Sequence, residues 1–385
     1  MSAVESALAL PSHARQKSST RWAFFIAGFA MAAWAPLVPF AKARAGLSEG
    51  SLGLLLLCLG AGSLITMPLA GALAARIGCR RVIVGAAALV CLMLPLLTVF
   101  SSWPLLAVSL ALFGAGLGCM DCTINLQAVL VEKNSETPLM SGFHGLFSVG
   151  CIVGAAGVSL LLALNLSPLL AALAVVAAVI AVLLHAARDL LPFGSTSNGP
   201  AFAIPHGVVL LIGAVCFILF LAEGAMLDWS AVFLTESKHL ASAHSGIGYV
   251  AFACAMTVGR LTGDKVVHRV GRQRVVLLGS LMAAAGLVVA TLSPSWPLSL
   301  VGFLLVGAGC SNVVPVMFSL IGKQKVMAEN VAIPAVSTLG YGGILLGPAF
   351  IGFIAHGSSL TTALLVLAGL LGGAAALSLT LKLND

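Results

Sequence analysis

Asp121 and Asn125 lie four residues apart in a stretch with no other charged side chain from Trp103 until Glu132. On a helix this spacing puts the carboxylate and the amide on one face. A charged aspartate at the centre of a membrane-spanning helix costs about 2.5–3.5 kcal/mol, so it belongs against a protein interior or a wet cavity. There it can take up and release a proton as water comes and goes, which makes Asp121 the first candidate for proton coupling and Glu223 the second. Four acids fall in apolar spans: Asp121, Glu223, Asp228 and Asp264. Arg260 can stretch to Glu223, which would make that acid structural, or pair with Asp264 one helical turn on. The second pairing is preferred here, and it leaves Glu223 free for substrate or proton. His144 can relay protons or hold a polar ligand, and a packing histidine is an equal alternative. Together with Asn125, Asp228, Trp34, Trp229, Asn312 and Tyr341 it makes up the candidate substrate-binding set.

Other chemistries find no support. Cys119 and Cys122 bracket Asp121, but no Cys or His pair at metal-ligand spacing lies near them, so no metal is expected. The chain lacks G-x-x-x-x-G-K-[ST], H-E-x-x-H and G-x-S-x-G, which argues against ATP use and against a hydrolase. No cofactor and no enzymatic activity are expected.

The elements that must position these residues follow from composition. Of 385 residues 60% are hydrophobic and only 8% charged, with a mean hydropathy of +1.12. Soluble domains carry about 25% charged residues, so this is an all-α polytopic membrane protein. Twelve apolar spans can be marked, at 22–43, 49–73, 82–100, 103–131, 139–163, 166–186, 207–234, 244–267, 275–293, 296–322, 330–355 and 360–381. They predict a cytoplasmic tail (1–21), a six-helix bundle (22–186), a cytoplasmic linker (187–206), a second six-helix bundle (207–381) and a short cytoplasmic tail (382–385). Met1–Thr20 is polar, so no cleavable signal is expected. Pro36 and Pro39 in the first span, Pro315 in the tenth and Pro334 in the eleventh permit bends.

The formal charge of +7 reflects topology and not a nucleic-acid surface. With the N-terminus inside, sixteen of the nineteen Lys and Arg residues fall on the cytoplasmic side, the exceptions being Lys42, Arg44 and Lys238. That bias puts both termini in the cytoplasm. The nine cysteines fall in spans or, for Cys79, in a cytoplasmic loop, so structural disulfides are not expected.

The sequence is also doubled. Ala30-Met31-x-x-Trp34 returns as Ala225-Met226-x-x-Trp229, and Arg76-Ile-Gly78-Cys-Arg80-Arg81-Val as Arg269-Val-Gly271-Arg-Gln-Arg274-Val. Gly118-Cys-Met-Asp121 matches Gly309-Cys-Ser-Asn312, and Gly150-x-x-x-Gly154 matches Gly343-x-x-x-Gly347, all at offsets of 191 to 195. The second half reads as a copy of the first, and such duplicated bundles place a binding site near mid-membrane. Under this matching Asn312 is the neutral counterpart of Asp121.

Two six-helix halves related by a pseudo-two-fold, with short basic loops after the second and eighth spans, resemble the major facilitator superfamily over essentially the whole chain. The family's loop pattern G-x-x-x-D-R-x-G-R-R reads here Gly71-Ala-Leu-Ala-Ala75-Arg76-Ile-Gly78-Cys-Arg80-Arg81, with Ala75 and, in the second copy, His268 where the family has Asp. The resemblance implies that Arg76, Gly78, Arg80, Arg81, Arg269, Gly271 and Arg274 belong to cytoplasmic gating loops. It also implies that without the two Asp residues latching relies on Arg76, Arg269 and other partners, or is weaker. Gly118-x-x-Asp121-x-x-x-Asn125 is similar to the fourth helix of the fucose permease-like branch, where such an acid and amide serve sugar binding and proton coupling. Ala222-Glu223-Gly-x-x-x-Asp228-Trp229, Phe143-His144-Gly and Val258-Gly-Arg260 resemble the YbjJ-like bacterial inner-membrane proteins.

The expectation is therefore a monomeric secondary transporter of a bacterial inner membrane. Its partners are a small polar solute with a sugar-like character, protons and membrane lipid. An exporter of amphipathic drugs or metabolites is the rival within transport, and a non-transporting sensor the rival outside it.

Overall fold

The computed structural model describes residues 11–47, 49–194, 204–240 and 247–381. Parts of the predicted tails (1–10 and 382–385), the linker stretch 195–203 and the start of the eighth span (244–246) lie outside the described residues. Among the described residues the secondary structure is helical, with no strand. This is how a chain in hydrocarbon satisfies its backbone within each segment.

In order the helices are α1 (His13–Ala33), α2 (Val38–Ala45), α3 (Glu49–Ile77), α4 (Cys79–Val99), α5 (Trp103–Glu132), α6 (Met140–Ala163), α7 (Pro168–Ala186), α8 (Gly207–Glu236), α9 (Ile247–Val270), α10 (Arg272–Leu292), α11 (Trp296–Cys310), α12 (Val313–Ile321), α13 (Glu329–Gly357) and α14 (Leu360–Thr380). Ten spans among the described residues are long and apolar enough to cross a membrane, and the protein is a multi-pass membrane protein. α1 and α9 are comparable in length but carry more charge. The first predicted span begins nine residues late, because hydropathy ends at Trp22 whereas the helix runs on through His13–Arg21 with Gln16, Ser19 and Thr20 turned inward.

Two predicted spans are interrupted. The first breaks at Trp34 into a 3-10 turn, Ala35–Leu37, with Pro36 in its first turn, before α2 resumes. The tenth breaks between α11 and α12 at Ser311 and Asn312. Pro315 explains this break: it has no N–H to give to the carbonyl four residues back, which is that of Ser311. Pro334, by contrast, leaves α13 continuous.

The chain divides into two compact units, one of Met1–Ser135, Leu146–Ala203 and Ala328–Pro334, the other of Glu136–Gly145, Ile204–Met327 and Ala335–Asp385. The first turns of α6 thus belong to the second unit, and those of α13 to the first.

Each unit repeats the same devices. Gly78 (φ 86°) and Gly271 (φ 88°) precede α4 and α10, in a left-handed region that favours glycine. In the first unit Gly150 lets α6 sit on the Phe25 carbonyl of α1; in the second Gly343 lets α13 sit on the Phe217 carbonyl of α8. Cations close the far ends of α4 and α10. Arg44 donates through Nη2 to the carbonyls of Leu97 (2.7 Å) and Phe100 (3.0 Å), and Lys238 Nζ to those of Thr291 (3.0 Å) and Ser293 (2.6 Å). Two of the three basic residues that break the charge bias are therefore helix C-caps, held by the carbonyls and by the negative end of the helix dipole. Lys238→Ala should lower stability by about 1–2 kcal/mol, read as an earlier melting transition in detergent micelles. An unchanged transition would remove the capping role.

Packing also corrects one sequence match. Gly116 of α5 faces Val90 and Ala86 of α4, and Gly309 of α11 faces Gly279 and Ala283 of α10. These contacts set the repeat at 193 residues, which pairs Gly116, not Gly118, with Gly309. Asn312 then falls opposite Cys119 and is not the counterpart of Asp121. The apparent match came from Gly-Cys occurring at both places.

Candidate functional site

In the first unit the polar side chains gather along α5. Hydroxyls of α3 fix this helix one to two turns before Asp121: Ser63 donates to the Gly114 carbonyl (2.8 Å) and Thr66 to that of Ala115 (2.9 Å). After Asp121, Gln127 donates to the Thr20 hydroxyl of α1 (3.2 Å) and accepts the Leu191 amide (3.1 Å). Between these anchors Asp121 is half-buried, and among the described residues its carboxylate has no hydrogen-bond or ion-pair partner. It lies about 16 Å along the helix from Glu132. Asn125 is 1% exposed; its Nδ2 donates back to the Asp121 carbonyl (2.9 Å), while its Oδ1 is buried with no partner. Trp34, at the break after α1, is buried and its indole N–H has no acceptor among the described residues.

The second unit holds a charged cluster around the break between α11 and α12. Arg260 of α9 is 6% exposed and donates through Nη2 to Oε1 of Glu223 on α8 at 3.0 Å. Its Nε faces the Ser311 carbonyl at 3.4 Å, the group that Pro315 leaves without a helical donor. Asn312 Nδ2 donates to the Gly259 carbonyl (3.1 Å) and the Ser311 hydroxyl (2.9 Å), and its Oδ1 is buried without a partner. The expectation that Glu223 is left free is corrected, for the Arg260 guanidinium reaches it and pairs with its carboxylate. Asp264 accepts the Gly142 amide, which donates to Oδ1 at 3.1 Å at the start of α6. That is the anionic end of a side chain meeting the positive end of a helix. His144, in the same turn of α6, is buried against Phe318, with ring centroids 6.0 Å apart.

The remaining expected residues are more scattered. Trp229 packs over Gly352, and its indole N–H also lacks an acceptor among the described residues. Tyr341 is half-buried and Asp228 exposed. In the loops Arg76, Arg81, Arg269 and Arg274 are exposed. Arg80 is committed otherwise: it donates to the carbonyls of Arg188 and Leu190 and holds the segment after α7 against the α3–α4 turn. Lys133 at the end of α5 forms an ion pair with Glu329 at the start of α13, a tie that the sequence reading missed. The Ser311 carbonyl was missed too, although a Ser-Asn pair four and three residues before a proline signals a freed carbonyl. Among the described residues no group of three or more His, Cys, Asp or Glu could hold a metal ion.

Known proteins complete the assignment. The profile of the Major Facilitator Superfamily matches residues 22–324. An uncharacterised MFS-type transporter of Yersinia pestis is 55% identical over 349 residues, covering 90% of this chain and 91% of that protein. In fold, the E. coli fucose:proton symporter FucP matches with a TM-score of 0.82 at 17% identity, over 96% of this chain and 99% of that one. The human organic anion transporter MFSD10 matches with a TM-score of 0.76 at 16% identity, over 96% and 100%. At these identities the two solved structures speak for the fold alone. The sequence profile and the Yersinia relative go further, and on them this chain belongs to the Major Facilitator Superfamily, as a transporter and not an enzyme.

Proposed function

We propose that the protein is a proton-coupled secondary transporter that moves a small, neutral, hydroxyl-rich solute by alternating access across a bacterial inner membrane, with Asp121 carrying the proton. One contrast carries this reading: Glu223 has a guanidinium at 3.0 Å to hold its charge, whereas Asp121 has no cation or donor among the described residues. The charge on Asp121 therefore rests on water, and its protonation follows whether water reaches it. Glu223 is fixed by its pair and serves the electrostatics of the second unit.

The character of the solute follows from the uncommitted polar atoms. Indole N–H donors at Trp34 and Trp229 and amide oxygens at Asn125 and Asn312 are buried without partners among the described residues. Buried groups of this kind are satisfied by water or by a ligand. Each unit taken by itself thus leaves one donor and one acceptor, Trp34 with Asn125 in the first and Trp229 with Asn312 in the second, and a sugar hydroxyl, which both donates and accepts, suits either pair. Arg260 is already neutralised by Glu223, which favours a neutral solute over an anion. The fucose:proton symporter that shares the fold supports the same class of cargo.

Counterflow in proteoliposomes tests the reading, with labelled neutral sugars and polyols, L-fucose first, beside organic acids. Counterflow of at least one neutral sugar or polyol, inhibited by the unlabelled compound, is expected. Counterflow of organic acids with none for any neutral sugar or polyol would contradict it.

A further inference from the structure

The turn between α9 and α10 borders a cavity of about 700 Å³ lined on its polar side by His268, Arg269, Arg272, Gln273 and Arg274. One carboxylate, Glu136, shares the wall with these three guanidinium groups. The remaining wall is apolar, formed by Val267, Leu277, Leu379 and Pro138 among others. Comparison with the first copy shows what is particular here. There the equivalent turn at Gly78 is covered by its own chain: Cys79 N donates to the Phe193 carbonyl (3.2 Å), Arg80 N to that of Leu191 (2.9 Å), and the Arg80 guanidinium to those of Arg188 and Leu190. The second copy replaces Cys79 with Arg272 and Arg80 with Gln273, so its basic groups are arranged differently around the same glycine turn.

We propose that this cavity binds the headgroup of an anionic phospholipid from the leaflet that meets the α9–α10 end of the spans. Clustered arginines supply the charge that a phosphate requires, and guanidinium groups hold phosphate oxygens in pairs. The apolar wall decides between a lipid and a free anion. Leu379 both lines the cavity and is 58% exposed, so the apolar wall continues onto the outer surface of α14. A headgroup held by the arginines therefore has an apolar surface beside it along which its acyl chains can lie. A soluble phosphate gains nothing from that surface.

The test counts lipid retained by the purified full chain in neutral detergent, by native mass spectrometry, during titration with phosphatidylglycerol or with phosphatidylcholine. Three basic side chains at about 1 kcal/mol each give a preference for phosphatidylglycerol of roughly a hundredfold. The combined variant Arg269→Gln, Arg272→Gln, Arg274→Gln should lose most of this preference. Arg76→Gln with Arg81→Gln, the equivalent positions of the first copy, should keep it. Equal binding of the two lipids by the unaltered protein would overturn the proposal without recourse to any variant. So would equal losses in the two Gln variants, which would mark diffuse surface attraction, or full displacement of phosphatidylglycerol by millimolar inorganic phosphate, which would mark a site for soluble anions.

Discussion

Proteoliposomes containing Asp121→Asn should fail to accumulate solute against its gradient when a pH step is imposed, yet should still exchange labelled for unlabelled solute. At one proton per solute, a step of one pH unit sustains about tenfold accumulation, because it is worth 1.36 kcal/mol. Asparagine has nearly the shape of a protonated aspartate and cannot give up a proton, so the variant is held in one protonation state. Accumulation should fall to unity, the level that exchange alone reaches. The helix itself should survive, because the bonds that fix α5 come from Ser63, Thr66 and Gln127 and not from Asp121. Tenfold accumulation by the variant would show that the proton travels elsewhere.

Arg260→Ala should be among the most damaging single changes to stability. It leaves Glu223 with 19% side-chain exposure and no counter-charge, and it removes the donor facing the Ser311 carbonyl at the helix break. Taking one partner from a buried pair typically costs about 3–5 kcal/mol, mostly because of the charge left behind. Glu223→Gln alone should cost less, and the double change Glu223→Gln with Arg260→Met should recover most of the loss. A double-mutant cycle on the melting transition should therefore give a coupling of about 2 kcal/mol or more. Additive effects would mean that the two side chains stabilise the fold independently.

Much of this was legible beforehand because hydrocarbon imposes so few solutions. Apolar runs separated by charged turns gave the helices, and the copied glycine and arginine turns gave the duplication. Asp121 stood out because a lone acid in an apolar run is expensive wherever it points. What the linear text could not convey was direction. Asp264 lies one helical turn from Arg260 in the sequence, whereas Glu223 is on another helix, and only the packing of α9 against α8 brings it within 3.0 Å. Arg44 and Lys238 looked like exceptions to a topological rule, since their use as caps depends on helix ends more than fifty residues away. Asn312 was matched to Asp121 by adjacent identical letters, whereas the contacts of Gly116 and Gly309 set a register two residues different. The break at Ser311 is half-visible in the sequence, since Pro315 marks a bend while the carbonyl it frees shows only in the structure.

The most direct test of the coupling claim uses the unaltered protein and no imposed gradient. Vesicles loaded with a pH-sensitive dye receive externally a sugar or polyol that has passed the counterflow assay, and internal pH is followed. Solute entering with a proton should acidify the lumen, at a rate that scales with the amount of protein and vanishes when an ionophore collapses proton gradients. Solute entry at the same rate with no change in internal pH would contradict the account, because Asp121 would then carry nothing.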